Sequence, residues 1–279
     1  MTGVKNMKKL LLSAISAALL LQSSAWADIA VPAAIKEKGL TVAIMPNYPP
    51  MDFKDPATNQ LTGVDYDLGQ AIAAKLGVKI NWQEIAFEQM VNAVVTKRVD
   101  LVMSGMTDTA ERQKVVSFID YFTTGPQFYT LAARKDINSA TDLCGKKVGT
   151  SRRTTFPVEI ANWSKAHCEA AGKPAIIVVG AEGTADARTQ LRQNRLDGVV
   201  QGSETLPYIM DLEKGKYKPL DKAFSFQYTG MAIGKDAGEL TTAVQAAIDA
   251  MIADGSYQKI LAKWGLADNG VTQATVNQG

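Results

Sequence analysis

The chain alternates short apolar runs with amphipathic helical stretches, and this order restricts its fold more than any other feature. Leu40–Ile44 predicts a first strand. Residues 65–76 place large aliphatic side chains on one helical face, before Gly77, which can adopt the left-handed conformation that ends many helices. Strands that alternate with helices are typical of α/β layers.

This alternation occurs in two sets. In the first, residues 78–82, 87–95 and 100–103 complete a βαβαβ unit. A second set begins near Gly145, with strands predicted at 147–149, 176–179 and 198–201 and helices at 157–170 and 184–195. Two sets predict two lobes, each a mixed sheet flanked by helices. Two apolar helices follow, and we expect the polar end after Asp268 to fray.

The N-terminal residues have the pattern of an export signal. Three lysines precede the apolar run Leu10–Leu21, and Ala25 and Ala27 form an A-x-A cleavage site. The run is about 12 residues long, too short for a membrane span of roughly 20. We therefore expect a signal peptide over residues 1–27, and a start at Met7 gives the same product. No cysteine directly follows the run, which predicts a freely soluble periplasmic protein without a lipid anchor.

Charge argues against one class of partner. The full sequence has 30 basic and 28 acidic residues, and removal of the predicted signal peptide leaves 27 basic residues. Nucleic-acid binding needs a basic face for phosphate contacts, and this near-neutral chain with scattered charges predicts none.

Two cysteines, Cys144 and Cys168, follow the predicted signal peptide. In an oxidising compartment they favour a disulfide, which would close a loop of about 25 residues and contribute roughly 3 kcal/mol. The alternative is a metal site that includes His167. One histidine and two thiols leave the usual four-ligand shell incomplete, so we expect no metal.

Several motifs, in their order and spacing, resemble the periplasmic amino-acid-binding proteins of ABC transporters, solute-binding protein family 3. They are Tyr48-Pro49-Pro50, Gly63-Val-Asp-Tyr-Asp-Leu68, Ser104-Gly105-Met106-Thr107 with Glu111-Arg112, Leu143–Gly149 and Tyr257–Gly265.

The resemblance implies a two-lobed periplasmic-binding-protein (Venus flytrap) fold of type II. Lobe 1 would comprise residues 28–124 and 228–279, and lobe 2 residues 125–227. The implied protein is a monomer that closes on a small amino acid or related carboxylate and delivers it to the membrane permease of an ABC importer, with no cofactor.

Polar residues follow the strand that ends at Met103. Ser104, Gly105 and Thr107 would leave hydroxyls and backbone N–H groups at the C-terminal edge of a sheet, where open α/β folds bind ligands. Arg112 follows, and a guanidinium matches a carboxylate with two parallel hydrogen bonds. The alternative is a surface arginine paired with Glu111.

By the resemblance, Arg112 binds the ligand's α-carboxylate together with Thr107 and Thr155. Tyr48 and Phe87 align with aromatic residues that stack against the rest of the ligand. Core packing is the alternative for both aromatic side chains.

Three positions depart from the family pattern. Met45 stands where cation-binding relatives often have an acid, and Gly202 where an aspartate usually holds the α-ammonium. Glu204 is the nearest substitute, although it could equally be an N-terminal helix acid. Arg153 replaces a common glycine; it either faces the cleft, where with Arg112 it would suit a dicarboxylate, or is a solvated neighbour of Arg152.

An enzyme on the same scaffold, similar to cyclohexadienyl dehydratase, is the alternative function. Its proton donor would be Glu204 or Glu159. The sequence contains no G-x-S-x-G, Walker A or G-x-G-x-x-G motif, so other enzyme classes have no support.

Overall fold

The computed structural model describes residues 29–279, so the predicted signal peptide lies outside the described residues. In chain order the strands are β1 Leu40–Ile44, β2 Asn47–Tyr48, β3 Asp52–Lys54, β4 Leu61–Thr62, β5 Ile80–Glu84, β6 Leu101–Val102, β7 Val116–Thr124, β8 Pro126–Leu131, β9 Lys147–Ser151, β10 Ile177–Ala181, β11 Gly198–Gly202, β12 Tyr217–Leu220, β13 Gln227–Gly234 and β14 Gly270–Val276. The α-helices are α1 Ala33–Lys38, α2 Val64–Leu76, α3 Met90–Val95, α4 Ala110–Gln113, α5 Phe156–His167, α6 Thr184–Arg192, α7 Leu206–Leu212, α8 Gly238–Ala253 and α9 Ser256–Lys263.

The first sheet has the strand order β14-β7-β13-β6-β1-β5. β1 pairs in parallel with both β5 and β6, which confirms the predicted βαβαβ unit. β13 pairs antiparallel with β6 and β7, and β14 antiparallel with β7. The sheet is therefore mixed, and we call it and its helices the first lobe.

The second sheet has the order β10-β9-β11-β8-β12. Its first three strands are parallel, whereas β8 and β12 pair antiparallel. This second lobe contains α5, α6 and α7. A third small sheet, β2-β3-β4, belongs to the first lobe. The predicted two-lobed α/β fold with mixed sheets is confirmed.

The chain passes between the two sheets at two neighbouring places. Only Gly125 separates β7 of the first sheet from β8 of the second, and residues 221–226 lead back from β12 to β13. A Cβ atom on Gly125 would overlap the carbonyl oxygen of Ser225. The two crossings therefore touch each other, as the strands of a hinge must if two lobes move about one axis.

Each lobe has its own apolar core. In the first lobe, Leu68, Ile72 and Leu76 of α2 are buried together, and α2 ends at Gly77 in the left-handed conformation with φ 65°. The burial of each such side chain contributes about 1.5–3 kcal/mol. The predicted helical face is thus the one that packs on the sheet.

The disulfide prediction is confirmed. Cys144 and Cys168 are bonded, with their Cα atoms 5.5 Å apart, in the core of the second lobe. Because both sulfur atoms belong to the bridge, neither is available as a metal ligand. His167 stacks instead on Trp163, with ring centroids 4.7 Å apart.

The prediction that the chain frays after Asp268 is wrong. Residues 270–276 form β14, the edge strand of the first sheet. Ala274 is fully buried there, its N–H donates to Asp249 at 2.8 Å, and its carbonyl accepts from Gln245 at 2.8 Å. A small side chain that fits between the sheet and α8 anchors this segment despite its polar composition.

Within residues 29–279, none of the helices combines the length and the apolar character that a membrane crossing requires.

Candidate functional site

A cleft of about 750 Å³, part of it open to solvent, lies between the two sheets. Eight of the nine predicted ligand contacts line it: Tyr48, Phe87, Ser104, Gly105, Thr107 and Arg112 from the first lobe, and Arg153 and Thr155 from the second. The ninth, Glu204, does not. Further lining residues that the motifs did not indicate include Asn47, Glu88, Ser151, Thr154, Glu182 and Thr184.

Arg112 lies in the short helix α4. The Thr109 side chain accepts a hydrogen bond from its backbone N–H at 3.2 Å, which caps the helix. Its Nη1 donates to the Thr107 carbonyl at 2.7 Å, and its guanidinium lies over the Phe87 ring, 5.6 Å from the centroid. These contacts orient the side chain toward the cleft.

Arg112 has no ion pair among the residues that the structure describes. Glu111, the alternative partner, binds Lys114 instead. Burial lowers the pKa of Arg112, and the charge of Asp108 raises it only in part. A partly buried guanidinium without a carboxylate partner favours an anion in the cleft.

Thr155 faces the cleft from the second lobe. It immediately precedes α5, and its Oγ1 is buried without a hydrogen-bond partner. A buried hydroxyl without a partner costs about 1–3 kcal/mol, so an acceptor in the cleft would relieve this cost. The N-terminus of α5 adds a favourable dipole for negative charge.

Ser104 has less freedom than the motif indicated. Its hydroxyl donates to Asp52 Oδ2 at 2.8 Å and accepts the Met45 N–H at 3.1 Å. The proton of the hydroxyl is therefore used inside the first lobe. One lone pair of Oγ remains for a donor in the cleft.

Gly105 permits a close approach by an aromatic ring. Its φ of 55° favours glycine, and a Cβ atom there would lie 3.1 Å from the Tyr48 ring. The Gly105 N–H donates to Asp65 Oδ2 at 2.8 Å. Asp65 also accepts from Tyr121, and burial raises the pKa of Asp65 to about 6.

Tyr48 connects the two lobes. Its hydroxyl donates to Glu204 Oε1 at 2.7 Å, and Oε2 accepts from Thr124 at the end of β7. Glu204 is only 4% exposed, and burial raises the pKa of its carboxyl. A Cβ atom on Gly202 would overlap both Glu204 oxygens, so the carboxyl occupies the space next to the residue 202 backbone.

The two acids considered as proton donors lie outside the cleft lining. Glu204 is bound by Tyr48 and Thr124, and Glu159 accepts from Ser225 Oγ at 2.9 Å beside the second crossing. Oε1 of Glu159 is buried without a partner.

Arg153 faces the cleft, but its charge is neutralised. Its Nη1 lies 2.6 Å from Glu88 Oε1 of the other lobe, and its Nη2 lies 3.9 Å from Glu182. Arg152 pairs with Glu182. The argument for a dicarboxylate therefore loses its second cation.

Comparison with known proteins identifies the family. The model of the bacterial extracellular solute-binding proteins, family 3, matches residues 40–267. The chain belongs to this family. It is an amino-acid solute-binding protein of the kind that serves ABC importers, and not an enzyme.

Three similar proteins illustrate the match. The arginine-binding protein ArgT of Corynebacterium glutamicum is 30% identical over 89% of this chain and 81% of its own length. A mutant of the arginine-binding protein ArgBP from T. maritima has a TM-score of 0.73 and 28% identity, covering 83% of this chain and 97% of its own. The ancestral amino-acid-binding protein AncCDT-1, described as a precursor of cyclohexadienyl dehydratase, has a TM-score of 0.70 and 32% identity, with coverages of 83% and 97%.

Proposed function

We propose that the cleft of this solute-binding protein holds a free amino acid by its α-carboxylate, with Arg112 and Thr107 of the first lobe and Thr155 of the second as the anchors. The Arg112 guanidinium, which faces the cleft without an ion-pair partner among residues 29–279, is the observation that carries the proposal. The buried Thr155 hydroxyl without a partner supports it from the opposite lobe.

Lobe closure would complete this site, because its anchors come from both lobes. We assign residues 28–124 and 228–279 to lobe 1 and 125–227 to lobe 2, which hinge at Gly125 and at 221–226. A ligand that touches both lobes stabilises the closed form by contacts absent from the open one.

The amino group of the ligand would meet hydroxyl oxygens, because the two carboxylates that line the cleft, Glu88 and Glu182, are paired with arginines. Gly202 supplies no side chain, and Glu204 is bound by Tyr48 and Thr124. The Ser104 oxygen retains one lone pair for an ammonium. We therefore expect the desamino analogue to bind only somewhat more weakly than the best ligand. The loss of affinity should be smaller than the loss expected if a carboxylate held the amino group.

The side chain of the ligand is uncharged in this proposal. Tyr48, Phe87 and Met45 offer apolar and aromatic surface, and Arg153 is paired with Glu88. Arginine, the ligand named for ArgT, would find methionine where the resemblance expects an acid. Glutamate would find no second unpaired cation within the described residues of the cleft.

We further propose that the protein is a monomer released into the periplasm after removal of residues 1–27, and that it delivers its ligand to the membrane permease. The A-x-A site at Ala25 and Ala27 supports cleavage.

A thermal-shift screen followed by calorimetry tests the proposed function. The purified protein is screened against amino acids, their desamino analogues and dicarboxylates, and the best uncharged amino acid is titrated into Arg112→Ala. We expect at least a hundredfold loss of affinity in this variant, since a hydrogen-bonded charge pair contributes about 3–5 kcal/mol. Arg98→Ala, an exposed arginine outside the cleft lining, is the matched control. Near-parental binding by Arg112→Ala would refute the anchor assignment.

A further inference from the structure

The C-terminal segment, residues 270–279, extends beyond the part of the chain that matches the family model. It lies alongside β7, the strand that ends at the first crossing between the lobes. Asn269, directly before it, exchanges two hydrogen bonds with Thr123 of β7, at 3.0 and 2.9 Å. The Val271 N–H donates to the hydroxyl of Tyr257 at 3.0 Å. The segment is thus fixed along the strand that adjoins the hinge.

The last three residues of this segment bind the first half of β7 and the loop that precedes α4. Asn277 forms two hydrogen bonds with the backbone of Phe118. The Gln278 N–H then donates to Asp120 Oδ2 at 3.0 Å, and the Gly279 N–H donates to Asp108 Oδ2 at 2.9 Å. Two successive amides therefore bind two different carboxyl groups.

These two carboxyl groups need such donors. Asp120 is fully buried and Asp108 is 3% exposed. Burial and the nearby charge of Asp108 raise the pKa of Asp120 to about 7. Gln113 completes the arrangement, because its Nε2 donates to both oxygens of Asp108 and to the Gly279 carbonyl. Without the two amides, Asp120 would lose the donor to its Oδ2 and Asp108 would keep only the Gln113 amide, at a cost of about 1–3 kcal/mol for each bond lost.

Asp108 and Gln113 are the sequence neighbours of the two proposed anion-binding residues of this loop. Asp108 directly follows Thr107, whose carbonyl accepts from Arg112, and Gln113 directly follows Arg112. On its other side the same loop is held by the hinge strand β13, where the Asp108 N–H donates to the Tyr228 carbonyl at 2.9 Å. The loop that presents Arg112 is therefore held between β13 and residues 277–279.

We propose that residues 277–279 are a brace that positions Arg112 for the ligand's carboxylate, so that this segment sets ligand affinity from outside the cleft. The proposal rests on the proposed function of Arg112. The brace acts through the backbone amides of Gln278 and Gly279 and through Asn277, whereas the Gln278 side chain is dispensable. Position 279 requires glycine, because a Cβ atom there would overlap the carbonyl oxygen of Asp108.

Two adjacent alanine substitutions test the brace. Gly279→Ala pushes the segment away from Asp108, whereas Gln278→Ala keeps both amides and is the matched control. We expect Gly279→Ala, and a deletion of residues 278–279, to raise Kd about tenfold, a loss of one to two hydrogen bonds to charged groups. Gln278→Ala should bind like the parent. Calorimetry is run well below each variant's melting temperature, so that unfolding does not contribute.

The deletion is also combined with Arg112→Lys. If the brace acts through the Arg112 guanidinium, the two losses are less than additive. Two results would overturn the brace and leave the proposed function standing. One is full additivity of the two losses of affinity. The other is parental affinity after the deletion, in a protein whose Arg112→Ala variant does not bind. Parental affinity in Arg112→Ala itself would overturn the proposed function.

Discussion

The hydroxyl of Tyr48 and the carboxyl of Glu204 lie 2.7 Å apart although they belong to different lobes. Tyr48 ends β2 of the small sheet, and Glu204 lies in the 3-10 turn Ser203–Thr205 after β11. In the proposed closure the lobes separate when the cleft opens, so this hydrogen bond would belong to the closed form. It joins an aromatic residue that lines the cleft in the first lobe to a carboxyl group of the second lobe.

Removal of this bond should weaken ligand binding without altering the carboxylate anchors. We expect Tyr48→Phe and Glu204→Ala each to raise Kd about tenfold, chiefly by faster dissociation, since a net hydrogen bond contributes about 1 kcal/mol and more when charged. Stopped-flow measurements of ligand release check this. The double variant should release ligand no faster than the worse single variant, and fully additive effects would show that the two residues act separately.

Gly202 leaves the space that the Glu204 carboxyl occupies. A methyl group in Gly202→Ala would overlap both carboxyl oxygens and lie 2.5 Å from the Tyr48 hydroxyl. We expect this variant to lose the bond between Tyr48 and Glu204 and to reproduce the release rate of Glu204→Ala. Gly238→Ala, where a Cβ meets nothing within 4 Å, is the control. Parental release from Gly202→Ala would contradict the close approach.

The bridge between Cys144 and Cys168 should stabilise the second lobe. Its loop predicts that Cys144→Ala/Cys168→Ala lowers the free energy of unfolding by about 3 kcal/mol in the chain-entropy model. Urea unfolding with and without reductant measures this. Reductant should not change the free energy of unfolding of the double variant, whereas it should lower that of the parent toward the value of the variant. A parent that reductant leaves unchanged at denaturing urea concentrations would argue against the bridge.

Asp120 should make stability depend on pH. Because burial raises its pKa to about 7, the folded protein keeps a proton that the unfolded chain releases near pH 4. The stability from this group is therefore present below about pH 4 and is lost as the pH rises through 7, by up to about 1.4 kcal/mol per pH unit. Asp65 changes in the same direction, so the informative quantity is the difference between the parent and Asp120→Asn in urea unfolding at pH 5 and pH 8. An equal change in the free energy of unfolding between pH 5 and pH 8 in the parent and in Asp120→Asn would refute the raised pKa of Asp120.

Much of the cleft was predictable because it follows local patterns. Thr107 and Arg112 follow a strand, at the edge of the sheet where open α/β folds bind ligands. Thr155 was indicated only by the resemblance to the family. The α2 face was predictable for a similar reason, since its apolar spacing matches the helical period.

The remaining features depend on contacts distant in the sequence. Glu88 and Arg153 meet across the cleft although 65 positions separate them, and neither has a local signal for this pair. The position of the Glu204 carboxyl depends on the open space next to Gly202 and on the Tyr48 hydroxyl of the other lobe, and neither can be read from the local sequence. β14 was missed because its polar composition resembles a frayed end, while one buried alanine and a set of backbone bonds determine its position.

β14 also has a consequence for self-association. Edge strands with a regular row of free N–H and C=O groups can pair with another chain and promote aggregation. The register of β14 against β7 shifts between Gly270 and Thr275, and two of its intervening backbone groups bond to α8 side chains. Such an irregular edge offers a poor template for a further strand, so the outermost strand of the first sheet disfavours edge-to-edge polymerisation.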